Sequence, residues 1–445
     1  MRTVWSEIKK SLLFQAGILE GIFVMIGVSY FSVKAMMLLI DCKYKVLSVI
    51  YQYEDLTEEF KKDVKINIPR DKVKCVDGKS YVELRRDDHE SDEESNNNKK
   101  RRRESSRSPS PRSNPGVSSS HSITYSDIGF AAFGLTGRAI VDFALLTSQI
   151  GFCCAYLIFI SENLSTYLPS VEKNHWLLLL LPPLFLLTLI KDLSKFAVFS
   201  LFAQVSNIFA FTVVYWFDFQ HLHLAQVHPK EFSLDGFPYY FSVAIYCFEG
   251  AGMILSLEES IAEDLRPKFK KFFVTTIVGI TTLYITFGAA GYLSYGPETR
   301  DIITLNLPAD GGFNFAILVK SCLCVSLFFT YPIMLFPVFS ILEKKMTIAT
   351  SGVKSKVLRL FVVLLTGIIV VRVPNFGQLM ALVGASCCTL LAFIMPALMH
   401  LVLFRHDTDL DGSNSRVLDY VLVCIGVTGA IIGTYDAAVN GATMD

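Results

Sequence analysis

Ten mostly apolar stretches, most of them near the length needed to cross a lipid bilayer as a helix, constrain this chain more than any other feature. They run 12–40, 139–160, 176–190, 196–217, 237–257, 272–295, 313–342, 357–371, 376–404 and 417–435. Crossing about 30 Å of hydrocarbon takes roughly 20 apolar residues in a helix, because lipid offers no partner for unpaired backbone groups. The third stretch is short and carries Pro182-Pro183, so a kink is expected there. Of the 445 residues, 52% are hydrophobic and 18% charged, against roughly 25% charged in soluble domains. These features exclude a single soluble domain and predict an all-α polytopic membrane protein. The 41 basic residues balance the 41 acidic ones, so nothing in the net charge attracts nucleic acid.

The charge is concentrated. Between Lys43 and Arg138 lie an acidic block (Asp87 to Glu94), three asparagines, a basic run (Lys99 to Arg103) and a Ser-Pro tract around Ser108. Such a segment has little apolar area to offset chain entropy. The expected plan is a short flank (1–11), a first span (12–40), an insert (41–138) largely disordered from about residue 85, nine further spans within 139–436, and a tail (437–445). Orientation follows from Lys and Arg in the short loops, which are retained on the cytoplasmic side. The loops 191–195, 258–271, 343–359 and 405–416 carry 13 basic residues, and the alternate set carries 4. The first set, and with it the insert, is expected to face the cytoplasm, where the insert is a candidate for binding protein partners. The opposite side would carry the sequon at Asn163, close to the bilayer.

No P-loop, dinucleotide-binding glycine motif, HExxH pair or GxSxG elbow occurs, so the chain gives no reason to expect an enzyme or a cofactor. The ten cysteines lack the paired spacing of a zinc site. His400 reads as an isolated histidine near the end of a span.

The fifth span is different. Glu249 stands near its middle, with Gly250 and Gly252 beside it. An ionisable group at bilayer depth costs at least about 2–3 kcal/mol, which makes it a functional candidate. Each glycine lowers helix propensity by roughly 1 kcal/mol relative to Ala, so a break is expected. A broken helix releases backbone N–H and C=O groups that can hold a zwitterion's carboxylate and ammonium when they line a cavity. Phe248, Glu249, Gly250, Ala251 and Gly252 are therefore the candidate binding residues. Glu249, Asp142, Lys320, Ser148, Gln149 and Tyr156 are candidates for proton coupling or for facing a pore. Gly17-x-x-x-Gly21 and Gly429-x-x-x-Gly433 predict close helix packing within the monomer.

The run Cys247-Phe-Glu-Gly-Ala-Gly252, with Gly288-Ala-Ala-Gly-Tyr292, Phe329-Thr-Tyr-Pro332, Val383-Gly-Ala-Ser-Cys-Cys388 and Phe393-Ile-Met-Pro396, resembles the amino acid/auxin permease family. That resemblance implies transport of small neutral amino acids coupled to protons, by alternating access, in a vacuolar, lysosomal or plasma membrane. It implies inverted five-plus-five helix repeats with a final extra helix, the repeats' first and sixth helices broken around the substrate. Glu249 to Gly252 correspond to the sixth helix. The family's first helix has no counterpart here, leaving ten spans instead of eleven. This departure keeps open a rival reading, a non-transporting nutrient sensor whose insert recruits partners.

Overall fold

The computed structural model describes residues 18–67, 73–76, 79–82, 123–167, 170–190, 197–222, 236–262, 264–296, 299–300, 302–307, 315–347, 352–373, 375–405 and 412–439. The acidic, basic and Ser-Pro tracts of the insert lie outside these residues, as do the first 17 residues. Two units divide the chain, one of residues 1–46 and 123–445, the other of residues 47–122.

All ten apolar stretches contain helix. In order these are α1 (Ile18–Asn67), α2 (Tyr125–Ser165), α3 (Lys173–Thr188), α4 (Ala197–Leu222), α5 (Phe237–Phe248) with α6 (Ala251–Glu259), α7 (Phe269–Tyr295), α8 (Phe315–Lys345), α9 (Val353–Arg372), α10 (Phe376–Val383) with α11 (Met395–Leu403), and α12 (Gly412–Val439). Among the described residues, eight of the rods are long and apolar enough to cross a membrane. The ten expected spans therefore include two that fall short. Helix α3 has 16 residues with Pro182 and Pro183 inside it, about 24 Å at 1.5 Å per residue. Helix α9 has 20 residues but starts with Lys354, Lys356 and Arg359. Large apolar side chains such as Phe23, Leu178, Val198, Phe361 and Tyr435 are exposed, the surface a lipid-embedded bundle presents.

Two boundaries differ from expectation. The first helix does not stop at Ile40 but continues to Asn67, because no Gly or Pro interrupts residues 41–67. The second unit also holds a short hairpin, Val73–Val76 paired antiparallel with Lys79–Val82. Helix α2 begins at Tyr125 rather than Ala139, capped by Thr124 and Asp127 in a reciprocal capping box. It is not straight, since Gly134 (φ 65°, ψ −148°) turns the chain. Ser126 and Asp142, 16 residues apart, hydrogen-bond at 2.5 Å, where a continuous helix would separate them by about 24 Å. Tyr125 to Arg138 therefore form a helical hairpin. Its arms touch through glycines, and a Cβ on Gly137 would lie 2.2 Å from the Gly129 carbonyl oxygen.

Polar contacts sort to the two ends of the bundle. One end gathers Lys43–Glu258 at 2.7 Å and Lys270–Asp41 at 2.7 Å. It also holds a buried cluster in which Arg359 reaches Glu343 at 3.1 Å and the Thr188 carbonyl, while Ser355 donates to Glu343 at 2.6 Å. The other end holds Lys173–Glu162 at 2.5 Å and Thr304 donating to Asn163 at 2.8 Å. Asn163 of the sequon is thus fully buried and hydrogen-bonded. Positively charged loops at 258–271 and 343–359 belong to the first end, in keeping with the alternation of charge along the sequence.

Candidate functional site

Helix α5 ends at Phe248. Glu249 adopts extended backbone (φ −63°, ψ 124°), and α6 restarts at Ala251 after Gly250. The interruption falls where the Glu-Gly-Ala-Gly sequence led us to expect it. Gly250 becomes the new N-cap, its carbonyl accepting from Met253 and Ile254 at 3.0 and 3.1 Å. The amides of Ala251 and Gly252, as first-turn groups, have no acceptor in the helix ladder. At the other lip, the last carbonyls of α5 are released, and Tyr284 of α7 donates to the Cys247 carbonyl at 3.4 Å. The break therefore sets a helix C-terminus, partially negative, against a helix N-terminus, partially positive.

Glu249 sits between them. It is 3% exposed, with the backbone N–H groups of Ala251 and Gly252 beside its carboxylate, while Oε1 has no hydrogen-bond partner among the described residues. A carboxylate at the N-terminus of a helix is electrostatically favoured. The chain's own carboxylate thus lies beside the amides at which the sequence led us to expect a substrate carboxylate.

The surroundings come from three further elements. The Phe248 ring packs against Tyr284, centroids 5.3 Å apart. On α2, a Cβ on Gly252 would come 2.8 Å from Leu145 Cδ2, and Phe152 packs on Tyr246 at 4.6 Å. The third is the π-helical stretch of Gly384–Cys388 and Leu390–Ile394 between α10 and α11. It lies so close to α5 that a Cβ on Gly384 would fall 2.1 Å from the Ser242 carbonyl oxygen. Such π-turns recur at functional sites because they widen the helix and redirect its side chains.

Phe248, Glu249, Gly250, Ala251 and Gly252 are thus gathered at the break. Ser148, Gln149 and Tyr156 are buried on α2, the helix that flanks it, and Ser148 returns its hydroxyl to the Leu145 carbonyl at 3.1 Å. Asp142 is held by Ser126 in the hairpin. Lys320 lies at the far end near the Thr166 hydroxyl at 3.5 Å, and so is not brought to the break. Tyr246 was not singled out from the sequence, although it stands three residues before Glu249 in the same span. Its hydroxyl is buried without a hydrogen-bond partner among the described residues. A separate cavity of about 490 Å³ lies between α1, α5 and α12, lined by Val28, Phe31, Phe241, Thr428 and Gly433 among others, and does not include the break.

A polytopic all-α bundle with one helix interrupted at mid-depth beside a buried carboxylate has the architecture of a secondary transporter rather than an enzyme. The comparisons agree. The family model described as "Transmembrane amino acid transporter protein" matches residues 111–439. Amino acid transporter ANT1 of Arabidopsis thaliana is 35% identical over 345 residues, covering 71% of this chain and 77% of that protein. Amino acid transporter AVT3B of the same plant is 36% identical over 332 residues, again 71% and 77%. Vacuolar amino acid transporter 4 of Saccharomyces cerevisiae is 26% identical over 370 residues, 73% of this chain and 50% of the yeast protein. This chain belongs to the transmembrane amino acid transporter family and is a multi-pass integral membrane protein.

Proposed function

We propose that the chain carries small neutral amino acids across its membrane together with protons, by alternating access about the break at Glu249. The observation that carries this reading is that Glu249 occupies the amino terminus of α6. An ionised Glu249 and a substrate carboxylate compete for the same amides. A proton on Glu249 removes that competition, so the substrate carboxylate takes the Ala251 and Gly252 amides while its ammonium faces the released α5 carbonyls. Proton and substrate then bind as a pair, and each strengthens the other's binding by the same factor. Phe248 and Tyr284 would contact the substrate side chain, and their bulk favours small ones. Asp142, Ser148, Gln149 and Tyr156 along α2 would line the route to the break, and Lys320 would act at the outer end.

The yeast relative named as a vacuolar transporter supports a vacuolar membrane as the site of action. The charged segment between α1 and α2 would face the cytoplasm and offer a surface for protein partners. The reading is tested by flux of labelled alanine in reconstituted vesicles under an imposed pH gradient. Accumulation driven by the gradient, with loss of the gradient's effect in Glu249→Gln, is expected. Uptake in the wild type that ignores pH on both sides would overturn proton coupling, and no uptake of any neutral amino acid would overturn transport.

A further inference from the structure

His400 of α11 is not isolated. Its Nδ1 lies 2.7 Å from Asp419 Oδ2 on α12, linking the last two helices. Asp419 is fully buried and His400 is 7% exposed. The second carboxylate oxygen, Asp419 Oδ1, is buried with no hydrogen-bond partner among the described residues. In apolar surroundings a carboxylate–imidazole pair is electroneutral only while the two share one proton beyond that of the neutral imidazole. The pair therefore holds one exchangeable proton, whose loss would leave an uncompensated buried charge.

Its position gives that proton a direction. Arg405 and Arg416 flank the two helix ends, which assigns the pair to the end expected to face the cytoplasm. From α1, Cys42 lies within electrostatic reach of Asp419, and Lys45 stands 5.5 Å from the Phe404 ring, which itself packs on His400 at 4.5 Å. From α2, Tyr125 is within electrostatic reach of both Cys42 and Glu249 and donates to the Leu391 carbonyl at 2.8 Å in the π-helical stretch. Glu258, one of the two carboxylates at this end of α6, is engaged by Lys43 and Tyr44. Tyr125 and Cys42 thus couple Glu249 to Asp419 electrostatically, without a continuous run of hydrogen bonds.

We propose that the His400–Asp419 pair is the cytoplasmic proton site of the transport cycle, exchanging one proton with that side in step with Glu249 at the break. The inference rests on the proton-coupled reading above.

The test measures initial uptake of labelled alanine in oriented vesicles, with cytoplasmic-side pH set to about 6 or about 8 and the opposite side held constant. The wild type is expected to give rates that differ several-fold. Asp419→Asn and His400→Gln are each expected to bring that ratio to about one while leaving the response to pH on the opposite side in place. If Asp419→Asn does not reach the membrane, His400→Gln, which retains a hydrogen-bond donor for Asp419, decides alone. Variants that keep the wild-type ratio overturn the inference. A wild type that responds only to pH on the opposite side also overturns it while leaving proton coupling intact; a wild type indifferent to pH on both sides removes the underlying reading as well.

Discussion

Replacing Gly384 with alanine tests whether the π-helical stretch positions the broken helix. The new methyl would start 2.1 Å from the Ser242 carbonyl oxygen and 3.0 Å from Tyr246 Cβ. Ordinary contact begins near 3.4 Å, so the stretch must retreat from α5 by about 1 Å, and backbone cannot swing aside as a side-chain tip can. Overpacking of this kind costs about 1–3 kcal/mol, offset by up to roughly 1 kcal/mol of better helix propensity. The fold should survive a net loss of about 0–3 kcal/mol. Uptake should fall further than stability does, because the same displacement moves Ser242 and Tyr246 relative to Glu249. We expect at least about a tenfold drop in initial rate, equivalent to about 1.4 kcal/mol, with the purified protein still monodisperse in detergent. Gly279→Ala is the control, since a Cβ there meets nothing within 4 Å, and it should be neutral or slightly stabilising. Equal uptake by the two variants would refute the argument that the close approach at Gly384 matters.

Other outcomes follow from the same contacts. Gly252→Leu should abolish uptake while the protein still reaches the membrane, because its Cβ already abuts Leu145 and the rest of the side chain fills the break; normal uptake would count against a site there. Arg359→Met should cost about 3–5 kcal/mol by leaving Glu343 buried and unpaired, and the double variant with Glu343→Met should recover most of it. Thermal unfolding in detergent reads that difference, and equal losses in the single and double variants would contradict it. Asn163 should carry no glycan despite its sequon, since its amide is buried and donates to the Phe159 carbonyl at 3.0 Å. A mobility shift on treatment with an N-glycosidase, absent in Asn163→Gln, would disprove that.

Much of the architecture was legible from hydropathy, because lipid forces every span to be helical and roughly the same length. The break was legible for a related reason, as few sequences place a carboxylate and two glycines at mid-depth without using them. The packing role of Gly429 and Gly433 could also be read, and a Cβ on either would strike Phe241 or Ser242 of α5. The hairpin at Gly134 was not legible, since its glycine looks like any other in an apolar stretch until Ser126 meets Asp142. Nor were the partnerships of His400 with Asp419 and of Arg359 with Glu343. Each joins separate helices, so the match depends on packing geometry that local periodicity does not encode. The occupation of the α6 amides by Glu249 itself depends on a side-chain direction that spacing alone leaves open.

The most direct test of the central claim is proton uptake on substrate binding by purified protein in weakly buffered detergent at about pH 8, where an ordinary glutamate is ionised. Saturating alanine should draw about one proton per bound molecule into the wild-type protein and none into Glu249→Gln. Stoichiometric alanine binding with no proton uptake would contradict the claim that substrate displaces the Glu249 carboxylate from the amino terminus of α6.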